Sequence, residues 1–519
     1  MKLSLSIFII LFYISALAQQ PVGIFDNHID VGNPKNAGST SYDEKTQTYF
    51  LKGSGYNIWF NRDEFQFAYK KISGDFILTA NFEFSGDTTG TNEHRKIGWM
   101  IRESADESAA SWIACRHING LTVLQWRPYR GMYMRDPEEE IFAPKQGGQI
   151  IQLERIGKTI TMRIAHPGEP LQTVGSTEIT YSKDSVLVGI CICSHDPKTI
   201  AEAKVWNVRI DKPVFHVFSS NPNAKNISDE TDVLGSRLEI LNVFDGTRKV
   251  IHESAGRFEA PNWMPDGKKL LFNENGSLYT IPIEGGTPEK FNTGSINRNN
   301  NDHVISFDGK MLGISSHRQG LPGGGSTVYI LPLTGGEPKL LTNSTPSYLH
   351  GWNPNGKEVV IVAQRNESRI YNLYRVSVED GKEIPLTNNK SGHVDGPEYS
   401  PDGKYIYYNA NPTGTMQVWR MKADGSDKEQ LTFDAYNNWF PHISPDGKWM
   451  AFISFLPDID PNAHPSYKRV MLRMMPLSEP GAPRVIAYLF GGQGTINTPS
   501  WSPDSKYIAF VSNSMKAEK

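Results

Sequence analysis

Four residues capable of chemistry stand at corresponding places in a repeated pattern of this sequence. Each lies four or five residues before the acidic or amide residue of a recurring turn motif, and the four are His303, His350, Glu398 and His442. Imidazole nitrogens and carboxylate oxygens bind divalent metals such as manganese and zinc, and they also transfer protons. Brought together by the fold, they predict a site for a divalent metal cofactor. The alternative is that the histidines hydrogen-bond to loop backbones and to water in a channel.

The turn motif reads Pro-Asp-Gly-Lys in its commonest form and divides the second half of the chain into copies. A repeat of about 40 to 50 residues fits the four short strands of one propeller blade. The longer last interval contains an insertion around Pro457 to Tyr467. The central residues of the six copies are Asp266, Asp308, Asn355, Asp402, Asp446 and Asp504.

The two ends of the repeat region predict how a ring closes. The last copy is followed only by an apolar segment from Tyr507 to Ser512, and the outer strands that it lacks occur earlier, in Ser236 to Gly246. Residues 233–514 are therefore predicted to form a six-bladed β-propeller closed by strands from both ends. The segments before the turns then meet at one mouth. Further binding residues predicted in its loops are His393, Asp395 and Trp439.

The repeat resembles that of TolB-like propellers, and residues 236 to 512 carry the resemblance. It implies a location in the periplasm. A peptidase of related propeller architecture is disfavoured, because no Gly-x-Ser-x-Gly elbow follows the repeats. The architecture is also similar to that of oligogalacturonate lyases, which have a histidine-rich metal site in the propeller mouth. There the metal neutralises a uronate carboxylate and a base removes the neighbouring proton.

The first half of the chain shows strand periodicity. Phe76, Leu78, Ala80, Phe82 and Phe84 alternate with more polar residues, the period of a half-buried strand. Short turns separate this segment from similar ones, which predicts an antiparallel sandwich over residues 24–211. A polar linker is predicted over residues 212–232. The other predicted strands cover residues 97–102, 121–127, 150–155, 159–165, 186–194 and 203–210.

Several segments of this first half resemble the concanavalin-like jelly-roll domains of secreted bacterial proteins. They include Arg95 to Arg102 and Ala203 to Ile210. The resemblance implies a fold class that houses both lectins and glycan hydrolases, and hence a sugar-binding or accessory role. Tyr129 and Tyr133, in the loop from Pro128 to Asp136, are predicted to bind a ligand. For Trp99, Trp112 and Trp126, which lie on apolar segments, the favoured interpretation is core packing.

Composition and the first residues limit which partners the protein is predicted to bind and where in the cell it is predicted to be. The net charge is -3, and acidic and basic residues are interspersed along the sequence. No basic surface that would bind nucleic acid is therefore predicted. The three cysteines, Cys115, Cys191 and Cys193, are too few for a disulfide framework, and Cys191 and Cys193 are interpreted as core residues. Residues 1–18 combine Lys2, an apolar stretch and Ala16-Leu17-Ala18, which predicts a cleaved signal peptide and export to the periplasm or beyond. No membrane span is predicted.

Two functions remain open from the sequence. The first is an exported envelope protein that binds glycan or protein partners through the sandwich and the propeller faces. The second is a metal-assisted carbohydrate-active enzyme, a polysaccharide lyase or hydrolase, with its site in the propeller mouth.

Overall fold

The computed structural model describes residues 21–87, 91–135, 137–180, 184–212, 234–321, 325–365, 369–478 and 481–514. The predicted signal peptide and all but the first residue of the predicted linker lie outside this part of the chain. Within it, no helix has the length and apolar character needed to cross a membrane.

In the part that the structure describes, the first half of the chain forms two antiparallel sheets of seven strands each. One sheet has the strand order β1-β4-β13-β6-β7-β8-β9 and the other β12-β11-β10-β5-β14-β3-β2. The strands are β1 Asn27–Val31, β2 Ser39–Asp43, β3 Thr48–Gly55, β4 Phe65–Ile72, β5 Phe76–Ser85, β6 Lys96–Arg102, β7 Ser111–His117, β8 Thr122–Arg127, β9 Glu140–Phe142, β10 Ile150–Ile156, β11 Thr159–Ala165, β12 Gln172–Glu178, β13 Val186–Cys193 and β14 Asp196–Asp211.

The core of this domain lies between its two sheets. Phe82 on β5 meets Trp99 on β6 edge to face, with 5.9 Å between ring centroids, and Trp99 Nε1 donates to the carbonyl of Ile151 on β10 at 3.2 Å. The predicted apolar alternation of β5 thus points into the core, and the packing of Trp99 and Trp112 there is confirmed. The all-β prediction is confirmed as well, whereas the jelly-roll type stays a prediction.

The second half forms six sheets arranged as blades, which confirms the six-bladed propeller. Among the described residues, blades 1 to 5 have four strands each and blade 6 has three. Blade 6 consists of β15 Gly235–Asn242, β16 Arg248–Ser254 and β37 Tyr507–Ser514. The others are β17 Phe258–Trp263, β18 Lys269–Glu274, β19 Ser277–Pro282 and β20 Glu289–Lys290; β21 Asn299–Ile305, β22 Met311–His317, β23 Ser326–Pro332 and β24 Lys339–Leu340; β25 Ser347–Trp352, β26 Glu358–Gln364, β27 Tyr371–Ser377 and β28 Glu383–Pro385; β29 Val394–Tyr399, β30 Tyr405–Ala410, β31 Gln417–Lys422 and β32 Glu429–Gln430; β33 Asn437–Ile443, β34 Trp449–Phe455, β35 Lys468–Pro476 and β36 Arg484–Gly491.

The ring closes as the sequence predicts. Strand β15, from the start of the propeller, pairs along its whole length with β37, from its end, with Gly235 opposite Ser514 and Asn242 opposite Tyr507. Because the closing blade takes strands from both ends of the repeat region, the sheet edges at these ends are paired within the ring.

The turn motif explains why the blades recur. Asp446 Oδ1 accepts hydrogen bonds from Lys448 N at 3.1 Å and from Ser444 Oγ at 2.6 Å, and Gly447 takes a φ of 70°. Glycine reaches this left-handed conformation without the penalty that a Cβ atom imposes. The turn therefore links the first and second strands of a blade with a fixed local geometry.

Candidate functional site

A cavity of about 660 Å³ opens at one end of the propeller. The first strands of neighbouring blades contact one another around the ring, and residues near their starts line the cavity together with the insertion between β34 and β35. Polar groups dominate the lining. Its amide side chains are those of Asn273, Asn275, Asn299, Asn300, Asn301, Gln493 and Asn497.

One position of the repeat supplies a lining residue from five of the six blades. It lies seven residues before the central residue of the turn motif, and in blades 1 to 4 and in blade 6 it lines the cavity. Between this position and the turn, strand pairing shifts in register, as between Asp395 and Glu398. Such a bulge re-aims the side chains that follow it. The residues at this position are Glu259, Asn301, Tyr348, Asp395 and Asn497.

Asp395 is the centre of a cluster of imidazoles. Its Oδ1 lies 3.2 Å from His350 Nε2, and its Oδ2 lies 3.4 Å from His393 Nε2 and 3.7 Å from His464 Nε2. Burial alone would raise the pKa of Asp395, but the hydrogen bonds and positive charge of His350 and His393 hold it well below its usual range. The carboxylate is thus ionised although it is buried.

Three members of this cluster lie close enough together to hold a metal ion. The ligand atoms of His393, Asp395 and His464 all lie within 4.8 Å of one another. Burial lowers the pKa of His464, so its imidazole is neutral near pH 7, and its Nδ1 is buried without a hydrogen-bond partner. Two imidazoles and a carboxylate are a donor set that manganese or zinc accepts. The residues therefore fit a divalent cation.

His350 lies between two carboxylates. Its Nε2 is 3.2 Å from Asp395 and 4.0 Å from Asp302 Oδ1. Burial lowers the pKa of His350, but Asp302 and Asp395 together outweigh this and raise it above its ordinary value. Burial raises the pKa of Asp302 to about 7. The pair can therefore hold a proton near neutral pH, which is a requirement for acid–base chemistry.

Aromatic rings hold the imidazoles in place. His350 stacks on Phe440 with 6.0 Å between ring centroids and an angle of 16°. Trp439 is buried behind the cluster, 4.5 Å from the ring of His464 and 5.4 Å from that of His393. Trp439, predicted to bind a ligand, thus packs against the histidines and is not part of the lining, whereas Phe440 is.

The structure divides the four residues first predicted as metal ligands between three places. Only His350 lines the mouth cavity. Glu398 and His442 form a buried pair, with His442 Nδ1 2.6 Å from Glu398 Oε2 and His442 Nε2 donating to the carbonyl of Ile496. His303 is fully buried and outside the lining. The bulge in the first strand of blades 2 to 5 explains why these residues separate. Residues at a fixed distance before the turn do not all point to the same face once a bulge lies between them and the turn.

The second half of the chain matches known proteins along most of its length. A family model described as the TolB beta propeller domain matches residues 343–458. An uncharacterized protein of Agrobacterium fabrum is 43% identical over 277 residues, which cover 53% of this chain and 92% of that protein. A solved structure described as a TolB from Agrobacterium tumefaciens, 42% identical, covers 54% of this chain and 99% of its own, with a TM-score of 0.51. The chain belongs to the TolB-like β-propeller family.

Other members of the family match over shorter stretches. The Tol-Pal system protein TolB of Anaeromyxobacter dehalogenans is 30% identical over 100 residues, which are 19% of this chain and 22% of that protein. This short match leaves the activity of the whole protein open.

Several lining residues were not predicted from the sequence. Asp302 stands next to His303, and His464 lies in the insertion around Pro457 to Tyr467, for which the sequence predicts no site residue. The position seven residues before each turn was a usable signal for Tyr348 and Asn497, since it holds a polar or aromatic residue in every copy. No repeat position marks His464, because it belongs to one blade alone.

The predicted binding residues of the first domain lie at its surface. Tyr129 and Tyr133 expose 58% and 56% of their area. Their exposure leaves both rings accessible to a ligand, and their binding role stays a prediction.

Proposed function

We propose that the protein works in the cell envelope as a binding protein whose propeller mouth takes a glycan. The predicted signal peptide supports this location, as does the relationship to a Tol-Pal system protein. A protein partner is the other ligand class that the family relationship suggests, and a glycan-binding experiment separates the two.

The chemistry of the cavity lining is the observation that carries this proposal. An amide side chain offers both a donor and an acceptor, which matches the hydroxyl groups of a sugar. Tyr348 and Tyr371, with 6.3 Å between ring centroids, add aromatic surface on which a sugar ring can pack. The cavity volume of about 660 Å³ falls within the usual range for small-ligand sites.

A glycan array followed by calorimetric titration tests the proposal. We expect the mature protein to bind at least one oligosaccharide, and Asn301→Ala to weaken that binding by about tenfold, since a buried polar group of the ligand loses its partner. Asn388→Ala, on an exposed segment of the same propeller, is the matched control. A protein that binds no glycan, or binds it equally well with Asn301→Ala, would refute a glycan site in the mouth.

The cluster of His393, Asp395 and His464 favours a second candidate, a metal-assisted enzyme acting on a uronate polymer. A divalent cation at these residues would offset the charge of a uronate carboxylate and so acidify the neighbouring C–H bond. His350 and Asp302 lie beside the cluster, and in this candidate they would take up that proton and return one. In the balanced step, the proton leaves carbon, a carbon–carbon double bond forms, the bond to the leaving sugar oxygen breaks, and that oxygen gains a proton.

Metal analysis and an elimination assay separate this candidate from simple binding. The enzyme hypothesis expects one manganese or zinc ion per chain and an ultraviolet-absorbing unsaturated product from polygalacturonate. A protein that binds glycan, retains no metal after incubation with manganese or zinc, and forms no product is a binding protein alone.

A further inference from the structure

The rings of Tyr56, Phe60 and Tyr133 form an aromatic surface on the first domain, which we call the ledge. It lies far along the sequence from the residues of the propeller mouth. Phe60 is 41% exposed, and its ring lies parallel to that of Tyr56 with 6.1 Å between centroids. The exposed Tyr133 meets Phe60 edge to face at 6.2 Å. Two separate loops thus contribute to one surface, and Tyr129 lies four residues before Tyr133 in the second of them.

A fully buried trio of charges supports the ledge. The Asp63 carboxylate binds Arg127 through both oxygens, at 2.6 and 2.7 Å, and Arg102 at 2.7 Å, and all three side chains have no exposed area. An isolated buried charge is costly, but here each charge has an opposite partner and further hydrogen bonds. Such a trio holds its neighbours in one fixed geometry.

The trio acts directly on the backbone that carries the exposed rings. Arg127 donates to the carbonyl of Phe60 at 2.5 Å and to that of Met132 at 3.0 Å. The two loops are also joined to each other, since Met134 N donates to the carbonyl of Trp59 at 3.1 Å. The backbone on which Phe60 and Tyr133 stand is therefore fixed in advance.

Charged groups flank the rings. The Arg62 guanidinium lies 4.8 Å from the centroid of the Tyr56 ring and 2.9 Å from the Glu64 carboxylate. Arg130, next to Tyr129, pairs with Asp106 at 2.5 Å. Guanidinium and carboxylate groups beside flat aromatic faces can bond to hydroxyls while the rings cover the C–H face of a sugar.

We propose that this ledge is a second glycan-binding site, which takes the pyranose rings of a polysaccharide chain. The inference rests on the proposed glycan-binding function but concerns a different surface from the mouth. Exposed large aromatics on a preorganised backbone lose little conformational entropy when a ligand binds, which favours such a role over a merely tolerated exposure. A protein partner would need a larger surface, about 800 Å² on each side, than these three rings and their charged neighbours provide.

Substitutions in the full mature chain test the ledge. The probe is the best-binding polysaccharide from a panel of soluble polygalacturonate, xylan and β-glucan, measured by affinity electrophoresis. We expect F60A and Y133A each to weaken the binding by about tenfold, in the range of a buried aromatic contact. Y133F keeps the ring and is expected to bind as the wild type does. F433A, which removes a side chain 78% exposed on the propeller, is the matched control.

The outcomes distinguish the ledge from the mouth. Loss of polysaccharide affinity in F60A and Y133A, with unchanged binding of a short oligosaccharide that Asn301→Ala weakens, supports two sites. Unchanged affinity in both ledge variants overturns the ledge and leaves the mouth standing. The ledge is likewise overturned if none of the polysaccharides binds, or if these substitutions impair only the capture of a protein.

Discussion

Asp395 lies at the centre of the group of histidines in the propeller mouth. A buried carboxylate is unfavourable unless it has partners, and here three imidazoles surround it at 3.2 to 3.7 Å. His350, His393 and Asp395 were each named from the sequence and lie in the cavity. Asp302 and His464 were not part of the predicted site, since Asp302 lies within a bulge and His464 lies in an insertion. Spacing from the turn cannot reveal either feature.

The pair formed by His442 and Glu398 is expected to stabilise the propeller and not to bind a ligand. His442→Gln removes one of two hydrogen-bonded ring nitrogens in a buried site, so we expect a loss of about 1 to 3 kcal/mol in the free energy of unfolding. Urea denaturation measures this loss, and calorimetry is expected to show unchanged glycan affinity. A variant as stable as the wild type but unable to bind glycan would place His442 in the binding site after all.

At the scale of elements, the blade turns were the most predictable part of the molecule. The motif gave the number of blades and the closure of the ring, because each copy encodes the same local hydrogen bonds and the same glycine conformation. The bulges were not predictable, because they depend on how each first strand packs against its neighbours. They decide which residues reach the mouth, so the blade count was predicted more completely than the site.

Substitution of the turn glycine tests how far the residues of the turn themselves determine its conformation. At Gly447, where φ is 70°, an added Cβ would meet no heavy atom within 4 Å, so conformation and not crowding sets the cost. We expect Gly447→Ala to destabilise the protein by about 1 kcal/mol and Gly447→Asn to cost less, since asparagine tolerates this region better. Thermal unfolding of both variants checks the order. Equal losses would show that the left-handed conformation is not what the turn requires.

At the scale of the whole molecule, buried charges join the first domain to the closing blade. Glu239, on the strand that closes the ring, has no exposed area and binds Arg209 of the first domain at 2.6 Å and Arg248 of its own blade at 2.8 Å. Ser512 on β37 donates to the same carboxylate at 2.5 Å. One carboxylate thus ties together the first domain and both strands of the closure.

This arrangement predicts how stability depends on pH. Burial alone would raise the pKa of Glu239, but Arg209 and Arg248 lower it well below the 4.5 of an unperturbed glutamate. The unfolded state therefore takes up this proton more readily, and the stabilisation present above about pH 4.5 is lost as the pH falls further. We expect Glu239→Gln to be about 3 to 5 kcal/mol less stable at pH 7 and to lose less on acidification.

Denaturant unfolding at a series of pH values checks this expectation. Burial raises the pKa of Asp211, so this residue changes the pH dependence of stability in the opposite direction to Glu239. Because Asp211 is present in both proteins, its effect cancels when their pH profiles are compared. Parallel pH profiles for the wild type and Glu239→Gln would show that the Glu239 carboxylate does not couple folding to protonation.

A crystal structure of the mature protein with its best-binding oligosaccharide is the most direct test of the proposed mouth site. We predict density for sugar rings inside the cavity, within hydrogen-bonding distance of Asn301 and beside Tyr348 and Asp395. Density on the opposite end of the ring or on the outer strands, with the cavity holding only solvent, would contradict the assignment of the mouth as the binding site.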